Sequence, residues 1–145
     1  MNRSDLKVFV YGTLKPGGRY WPEFCEGKVD QPLPAMLRGQ LYDLHVGYPG
    51  LLLKGGDSVF TGLRRDKWVQ GYLLTFKSEK DFLRLDVLEG YEPERPHSEN
   101  EYVRLKVPCF TLDGKELGEV WTYEMTNATM KHHKGTLISD GYWPV

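Results

Sequence analysis

The sequence has little of several features that would assign it to a common class of protein. Its 145 residues include only two cysteines, Cys25 and Cys109, which stand far apart and form no Cys-x-x-Cys pair. This spacing argues against a disulfide framework and a zinc site, and it favours a reducing compartment. No apolar run approaches the ~20 residues that a membrane-spanning helix needs, and the first residues lack the apolar segment of a secretory signal. We therefore expect a cytoplasmic protein with no membrane partner.

The chain also lacks an excess of charge of either sign. The 19 Lys and Arg residues are balanced by 20 Asp and Glu residues, and the basic residues are scattered along the chain. Nucleic-acid-binding domains usually carry a basic patch, and those that bind single strands combine it with exposed aromatic side chains. No such basic aromatic face is visible. A small RNA-binding barrel is therefore disfavoured, and no nucleic-acid partner is expected.

Glycine and proline, by contrast, are plentiful, with 16 and nine residues, and such a composition favours a β-rich fold with many turns. The length fits a single domain over residues 1–145. Six segments have the apolar or alternating pattern of strands: 8–12, 33–44, 51–53, 68–76, 102–110 and 117–125. Within them, Gly71 predicts a bulge or a close approach by another group.

The pattern predicts one clear helix between the fourth and fifth of these strands. Ser78 is the expected N-cap, the helix runs to Glu89, and Gly90 is a typical C-terminal signal. A glycine-rich turn is predicted at 54–58, and the tail after residue 131 is expected to be irregular. Together these elements predict an α+β fold, a small mixed β-barrel of about six strands with one main helix and short flanking helices.

The opening strand ends in a stretch that suggests a binding site. Tyr11 and Gly12 close the strand, and Thr13 and Leu14 follow before a Pro-Gly-Gly turn. A strand that ends in glycine leaves backbone N–H groups unpaired, and successive free N–H groups form a concavity that accepts anions. We interpret residues 11–14 as a binding loop for a carboxylate or similar group. An ordinary strand-to-turn transition is the alternative.

Glu89 is the polar residue with the least ordinary position. It lies four residues after Leu85 and seven after Phe82, on the apolar face of the predicted helix. It also stands at the helix C-terminus, where the helix dipole disfavours negative charge. Burial and the dipole should both raise its pKa, as a general acid or base requires. The alternative is a Glu at a frayed helix end that turns to solvent or pairs with Arg104.

The remaining polar residues are weaker candidates. Asp86 lies one residue away from the apolar face and is interpreted as a solvated helix acid. The histidines are isolated in loops or stand together in a lysine-rich part of the tail, and no spacing indicates a metal site. Cys25 has no His or Cys partner nearby that would activate it, so we expect it to serve packing. No metal or organic cofactor is predicted.

Two motifs in this order resemble a known family. Tyr11-Gly12-Thr13-Leu14-Lys15 directly follows an N-terminal strand, and Leu85-Asp86-Val87-Leu88-Glu89-Gly90-Tyr91 stands near mid-chain. They resemble the gamma-glutamylcyclotransferase-like superfamily, also called the AIG2-like family, and within it the small bacterial and plant-type members and gamma-glutamylamine cyclotransferase. Four further stretches are similar in order and spacing: Gly47-Tyr48-Pro49-Gly50, Val69-Gln70-Gly71-Tyr72, Tyr102-Val103-Arg104 and Val120-Trp121-Thr122-Tyr123. The long segment 91–101 departs from compact members.

The resemblance implies a small β-barrel whose Tyr-Gly-Thr-Leu loop forms a cavity with Glu89 inside. It implies an enzyme that acts on a small γ-glutamyl substrate, whose α-amine attacks the γ-carbonyl to give 5-oxoproline and a free amine or amino acid. Glu89 would be the general acid and base, and residues Tyr11 to Leu14 would bind the substrate. Tyr48 and Tyr123 are expected either to line the pocket or to be ordinary core aromatics.

A second function remains open at the level of sequence. The alternative is a non-catalytic module that keeps the fold and recognises a small carboxylate or a partner protein, because a fold does not determine a function. Retention of Glu89 together with the loop favours the enzyme. A monomer or a weak homodimer is expected.

Overall fold

The computed structural model describes residues 3–53 and 68–144. Its strands are β1 (Lys7–Val10), β2 (Leu33–Arg38), β3 (Gln40–Asp43), β4 (Pro49–Leu52), β5 (Trp68–Thr75), β6 (Tyr102–Thr111), β7 (Glu116–Met125) and β8 (Thr136–Ile138). Its helices are α1 (Trp21–Phe24), α2 (Glu79–Leu88) and α3 (Asn127–His133), with 3-10 turns at Arg3–Leu6 and His97–Glu99. The turn predicted at 54–58 lies outside the described residues.

Five strands close into a barrel in the order β1-β5-β2-β6-β7. Neighbouring strands are antiparallel except β7 and β1, which close the barrel in parallel with Val8 opposite Trp121. The other three strands form a separate antiparallel sheet in the order β4-β3-β8. The predicted mixed barrel is therefore confirmed, with a small second sheet beside it.

The prediction of a single strand over residues 33–44 is wrong. The chain bends at Gly39, so that β2 stays in the barrel and β3 enters the second sheet. A Cβ at Gly39 would lie 3.1 Å from Leu51 Cδ1 and 3.2 Å from the carbonyl oxygen of Leu52. The bend therefore packs so closely on β4 that a side chain would crowd it. Strand β4, which pairs with β3 in the second sheet, begins at Pro49. This is two residues before the start of the strand predicted at 51–53.

The tail is not irregular as expected. It forms α3 and then β8, which pairs with β3 through Leu41 opposite Ile138 and Tyr42 opposite Leu137. The pattern misses this strand because β8 is only three residues long and two of them are exposed. Its partner lies far away in sequence, so the pairing depends on tertiary contacts rather than on local propensity.

Strand β1 is buried on both of its faces. Phe9 belongs to one core cluster, which fills the barrel with Leu37 and Val120, whereas Val8 and Val10 belong to a second cluster. At Gly71, on the neighbouring β5, a Cβ would lie only 2.1 Å from the carbonyl oxygen of Val10. The close approach predicted at this glycine is confirmed, and it lets β5 pack tightly against the end of β1.

Helix α2 begins and ends as predicted. The Ser78 hydroxyl accepts a hydrogen bond of 3.2 Å from the Asp81 amide, which caps the N-terminus. Phe82 packs its ring against the ring of Phe76, with centroids 6.0 Å apart. Gly90 has a φ of +65°, the left-handed conformation that commonly ends a helix. The helix therefore packs on the barrel with Glu89 fixed at its C-cap.

Candidate active site

A cavity of about 130 Å³ lies where the end of β1 meets the end of α2. Its walls come from the end of β1 and the loop after it, the start of β4, the end of α2, the start of β6 and the end of β7. The lining residues are Phe9, Val10, Tyr11, Gly12, Thr13, Leu14, Tyr20, Tyr48, Pro49, Leu88, Glu89, Glu101, Tyr102 and Tyr123. Their charged members are two carboxylates, and no Lys, Arg or His stands among these described residues. The structure thus brings together all the site residues named from the sequence.

The loop at residues 11–14, which lines the cavity, is held by hydrogen bonds to its carbonyl groups. The carbonyl oxygen of Gly12 accepts from the Lys15 amide at 3.2 Å, and that of Thr13 accepts from the Tyr20 amide at 2.9 Å. In the described ranges, the amides of Gly12 to Leu14 donate to no protein acceptor outside the sheet ladder. Such a bend, with carbonyls tied back and amides left over, is the arrangement that accepts an anion.

Lys15 anchors the far side of this loop. It is fully buried, its ammonium donates to the carbonyl oxygen of Trp143, and it lies 3.7 Å from the ring centroid of Tyr142. Burial lowers its pKa to about 8. Trp143 and Tyr142 therefore hold the loop from outside. No sequence pattern indicates this role, because the tail has no regular periodicity.

Glu89 lines the cavity from the end of α2 and keeps part of its surface open to it. Its amide donates to the carbonyl oxygen of Leu85 at 2.9 Å, which fixes the backbone as the helix cap. Burial is the largest cause and the nearby negative charges of Glu101 and Asp86 add to it, so that together they raise the pKa of Glu89 to about 8. A carboxyl group with such a pKa is partly protonated near neutral pH and can both accept and donate a proton.

Glu101 is the cavity residue that sequence reasoning missed. It lies just before β6, and its Oε2 accepts a hydrogen bond of 2.8 Å from the hydroxyl of Tyr48, which also lines the cavity. Burial and this bond to Glu101 raise the pKa of Tyr48 to about 12, so the phenol remains a donor. The segment 91–101 has no periodicity, so nothing in the local pattern indicates that its last residue faces a cavity.

The aromatic walls of the cavity are fixed by hydrogen bonds to the backbone. Tyr11 donates to the carbonyl oxygen of Tyr123 at 2.6 Å, and Tyr102 donates to that of Pro49 at 2.7 Å. Burial, first of all, raises the pKa of both phenols. Tyr102 and Pro49, together with Tyr20, are further lining residues that were not singled out from the sequence. The rings are held rigidly, which gives the cavity a preformed shape.

The interpretation of Asp86 as a solvated acid is wrong. Its side chain is only 13% exposed, because Arg104 lies across it with Nε 2.9 Å from Oδ1 and Tyr123 donates to the same oxygen at 2.7 Å. The alternative pairing of Glu89 with Arg104 is wrong for the same reason. Arg104 lies between aromatic rings, 4.4 Å from the centroid of Trp121 and 5.1 Å from that of Phe82. The pattern could not show this, because the contact joins residues 18 apart through the packing of α2 on β6.

Comparison with models of known protein families identifies the family of this chain. The model of the gamma-glutamyl cyclotransferase, AIG2-like family matches residues 8–145, nearly the whole chain. The chain belongs to this family. No curated protein matches it in a direct sequence comparison.

Solved structures agree on the AIG2-like fold. The chain is similar to YkqA from Bacillus subtilis with a TM-score of 0.62 and 20% identity, over 94% of this chain and 39% of YkqA. An AIG2-like protein from Mus musculus matches with a TM-score of 0.61 and 18% identity, over 96% of this chain and 88% of that one. A protein from Arabidopsis thaliana matches with a TM-score of 0.57 and 22% identity, over 84% and 69%. This chain therefore spans well under half of YkqA and most of the mouse protein.

The two cysteines of this AIG2-like chain are not among the residues that line the cavity. Cys25 and Cys109 are fully buried, and burial raises the pKa of each thiol, to about 12 and about 11. In the described residues, no group of three His, Cys, Asp or Glu side chains is placed to hold a metal ion. Those residues also include no helix that is long and apolar enough to cross a membrane.

Proposed function

We propose that this AIG2-like protein is a γ-glutamyl cyclotransferase that releases 5-oxoproline from a small γ-glutamyl amine or amide, with Glu89 as general acid and base. The observation that carries the proposal is that Glu89 and the loop at residues 11–14 line one cavity. The loop offers amide donors for a carboxylate, and Glu89 and Glu101 of the same cavity offer carboxyl groups for an ammonium. A γ-glutamyl group carries both of these at its α-carbon.

The reaction is suited to a preformed cavity with few chemical groups. The α-amine and the γ-carbonyl belong to the same molecule, and holding them in contact removes much of the barrier, on the order of 7 kcal/mol in favourable cases. The rigid aromatic walls supply this orientation. Free amides near Gly12 also stand where they can stabilise an oxygen that gains negative charge during attack.

The proton balance requires one group that works in both directions. The α-ammonium loses two protons as its nitrogen becomes the ring amide, and the nitrogen that leaves the γ-carbonyl gains two as it departs as an ammonium. The new bond joins the α-nitrogen to the γ-carbon, and the bond from that carbon to the leaving nitrogen breaks. Glu89, whose pKa is raised to about 8, accepts a proton from the nucleophile and returns it to the leaving group.

The test is detection of 5-oxoproline by mass spectrometry after incubation with a panel of γ-glutamyl amines, peptides and amides. We expect product from at least one panel member and none from its N-acetylated counterpart, because an acylated α-nitrogen cannot attack. Absence of 5-oxoproline across the panel, with the protein shown to be folded, would contradict the proposal. It would favour a non-catalytic module that binds a small carboxylate in the same cavity.

A further inference from the structure

We propose that the carboxylate of Glu101 binds the α-ammonium group of the substrate. Tyr48 holds this carboxylate in place by a hydrogen bond. The enzyme is thereby restricted to γ-glutamyl compounds whose α-amine is free. The inference rests on the proposed function and divides the labour between the two carboxylates of the cavity. Glu101 holds the cation, and Glu89 moves the protons.

The backbone of Glu101 is fixed on both sides. Its amide donates to the carbonyl oxygen of Gly90 at 3.3 Å, and its carbonyl oxygen accepts from the Thr126 amide at 3.1 Å. A Cβ at Gly90 would lie 3.3 Å from Glu101 Cβ and 3.5 Å from Oε1. The side chain thus packs on the turn that directly follows Glu89. A carboxylate held in this way loses little conformational entropy when it binds a ligand.

One carboxylate oxygen of Glu101 is occupied and the other is left for a ligand. Oε2 accepts from the Tyr48 hydroxyl at 2.8 Å. In the part of the chain that the structure describes, the Glu101 carboxylate forms this hydrogen bond through Oε2 and none through Oε1. Tyr48 itself lines the cavity, so both partners of this bond belong to the cavity lining. An ammonium group in the cavity can donate to Oε1 without displacing this bond.

The charges of the cavity call for a cation. Its lining holds Glu89 and Glu101 but, among the described residues, no Lys, Arg or His. Arg104 lies outside this lining and is paired with Asp86, whose Oδ1 also accepts a hydrogen bond from Tyr123 of the cavity wall. Repulsion between the two carboxylates raises the pKa of Glu89, which is a cost that a bound ammonium relieves. Among the groups of a γ-glutamyl compound, the α-ammonium is the one that must lie beside Glu89 if Glu89 is to take its proton.

The test compares two ligands that differ only in the ammonium. L-Glutamate carries it, and glutarate has the same two carboxylates without it. Affinities of both are measured by calorimetry or amide chemical shifts for the native protein, Glu101→Gln, Tyr48→Phe and the control Glu99→Gln, whose side chain is exposed two residues away. Gln keeps an oxygen that can accept from Tyr48, so the fold should persist.

We expect the native protein and Glu99→Gln to prefer glutamate, and Glu101→Gln to lose about tenfold or more of that preference while it still binds glutarate. Tyr48→Phe should lose a smaller part of it. On an active substrate, Glu101→Gln should also move the acidic limb of the pH profile of kcat/KM to lower pH, because the charge that raises the pKa of Glu89 is gone.

A native preference for glutamate that survives in Glu101→Gln overturns the proposal. Equal loss of both ligands overturns it too, because it indicates a structural role. If Glu101→Gln does not fold, the test depends on Tyr48→Phe. An unchanged preference of that variant for glutamate over glutarate then overturns the proposal. Ligand binding requires no turnover, so a protein that prefers glutamate through Glu101 but forms no 5-oxoproline would contradict the proposed reaction while leaving the ammonium site in place.

Discussion

Asp86 and Glu89 stand one helical turn apart at the end of α2, and their surroundings are opposite. Asp86 faces Arg104 and Tyr123 and makes a closed ion pair with side chains only 13% and 11% exposed. Glu89 faces a cavity whose other charged residue is Glu101. The same helix thus carries one carboxylate that is neutralised and one that is not. The chemistry of each acid therefore depends on the side chains that pack against it rather than on its position in the helix.

The two acids are also connected. Tyr123 lines the cavity with its ring and donates its hydroxyl to Asp86, so it separates the ion pair from the cavity. The charge of Asp86 still contributes to the raised pKa of Glu89, after burial and Glu101. The ion pair therefore belongs to the surroundings that tune Glu89, even though it does not reach the cavity.

The largest effect is expected from Glu89→Gln, which tests whether the unpaired acid is the one that acts. Gln has nearly the same shape but cannot carry protons, so turnover should fall by ~10²- to 10⁴-fold. Stability should be unchanged or increased, because an uncompensated charge leaves a helix C-terminus. The measurement is 5-oxoproline formation alongside thermal melting, with Glu99→Gln as the matched control. Near-native turnover would show that Glu89 is not the proton carrier.

Arg104→Met tests the other side of the comparison. The change keeps an apolar side chain among the rings of Phe82 and Trp121 but leaves the Asp86 carboxylate without its cation. We expect a loss of about 3 kcal/mol in the free energy of unfolding, the lower end for a broken buried pair. Denaturant titration measures it. Because Asp86→Asn removes the stranded charge, the double variant should recover much of the loss, and failure to recover would mean that packing rather than charge is responsible.

The sequence could predict the elements whose signals are local. Ser78 and Gly90 bound α2 because a cap and a left-handed glycine act within one turn, and the position of Glu89 follows from helical periodicity. The barrel could be predicted because most of its strands are long enough for their apolar or alternating pattern to be recognised in the sequence. The bend at Gly39 and the pairing of β8 were missed, because both depend on packing against residues that are distant in the chain.

The same limit applies to the site. Glu89 and the loop at residues 11–14 carry recognisable motifs, and they lie together in the cavity. Glu101 and the Asp86–Arg104 pair have no motif of their own. Helical periodicity says that Asp86 is off the apolar face, but it cannot say that β6 covers this side as well and brings Arg104 onto it.

Gly12→Val addresses the loop that faces the two acids. A Cβ at Gly12 would lie 2.8 and 2.9 Å from the ring carbons Cδ and Cγ of Pro49, so the loop or the start of β4 must shift. Overpacking of this kind costs about 1–3 kcal/mol, and we expect the affinity for 5-oxoproline to fall about tenfold. Amide chemical shifts on titration measure it. Unchanged affinity, or native shifts confined to residues outside 11–14, would mean that the anion binds elsewhere.

The smallest effect expected is a pH dependence of stability that belongs to Glu89. Its pKa is about 8 in the folded protein against an ordinary value of 4.5, so the folded state binds more protons than the unfolded state between these values. Stability due to this group is therefore fully present below about pH 4.5 and is lost as the pH rises to about 8.

The native protein should accordingly lose about 1 kcal/mol or more of unfolding free energy relative to Glu89→Gln between pH 5 and pH 8. The difference between the two proteins cancels the titration of all groups that they share, which is why the comparison is made against Gln rather than against a single pH. Denaturant titrations at several pH values measure it. A constant difference would mean that Glu89 titrates alike in the folded and unfolded states. Asp86 and Glu89 would then differ in their partners but not in how folding changes the protonation of Glu89. It would also follow that water screens the charge of Glu101 well enough to leave the pKa of Glu89 unchanged.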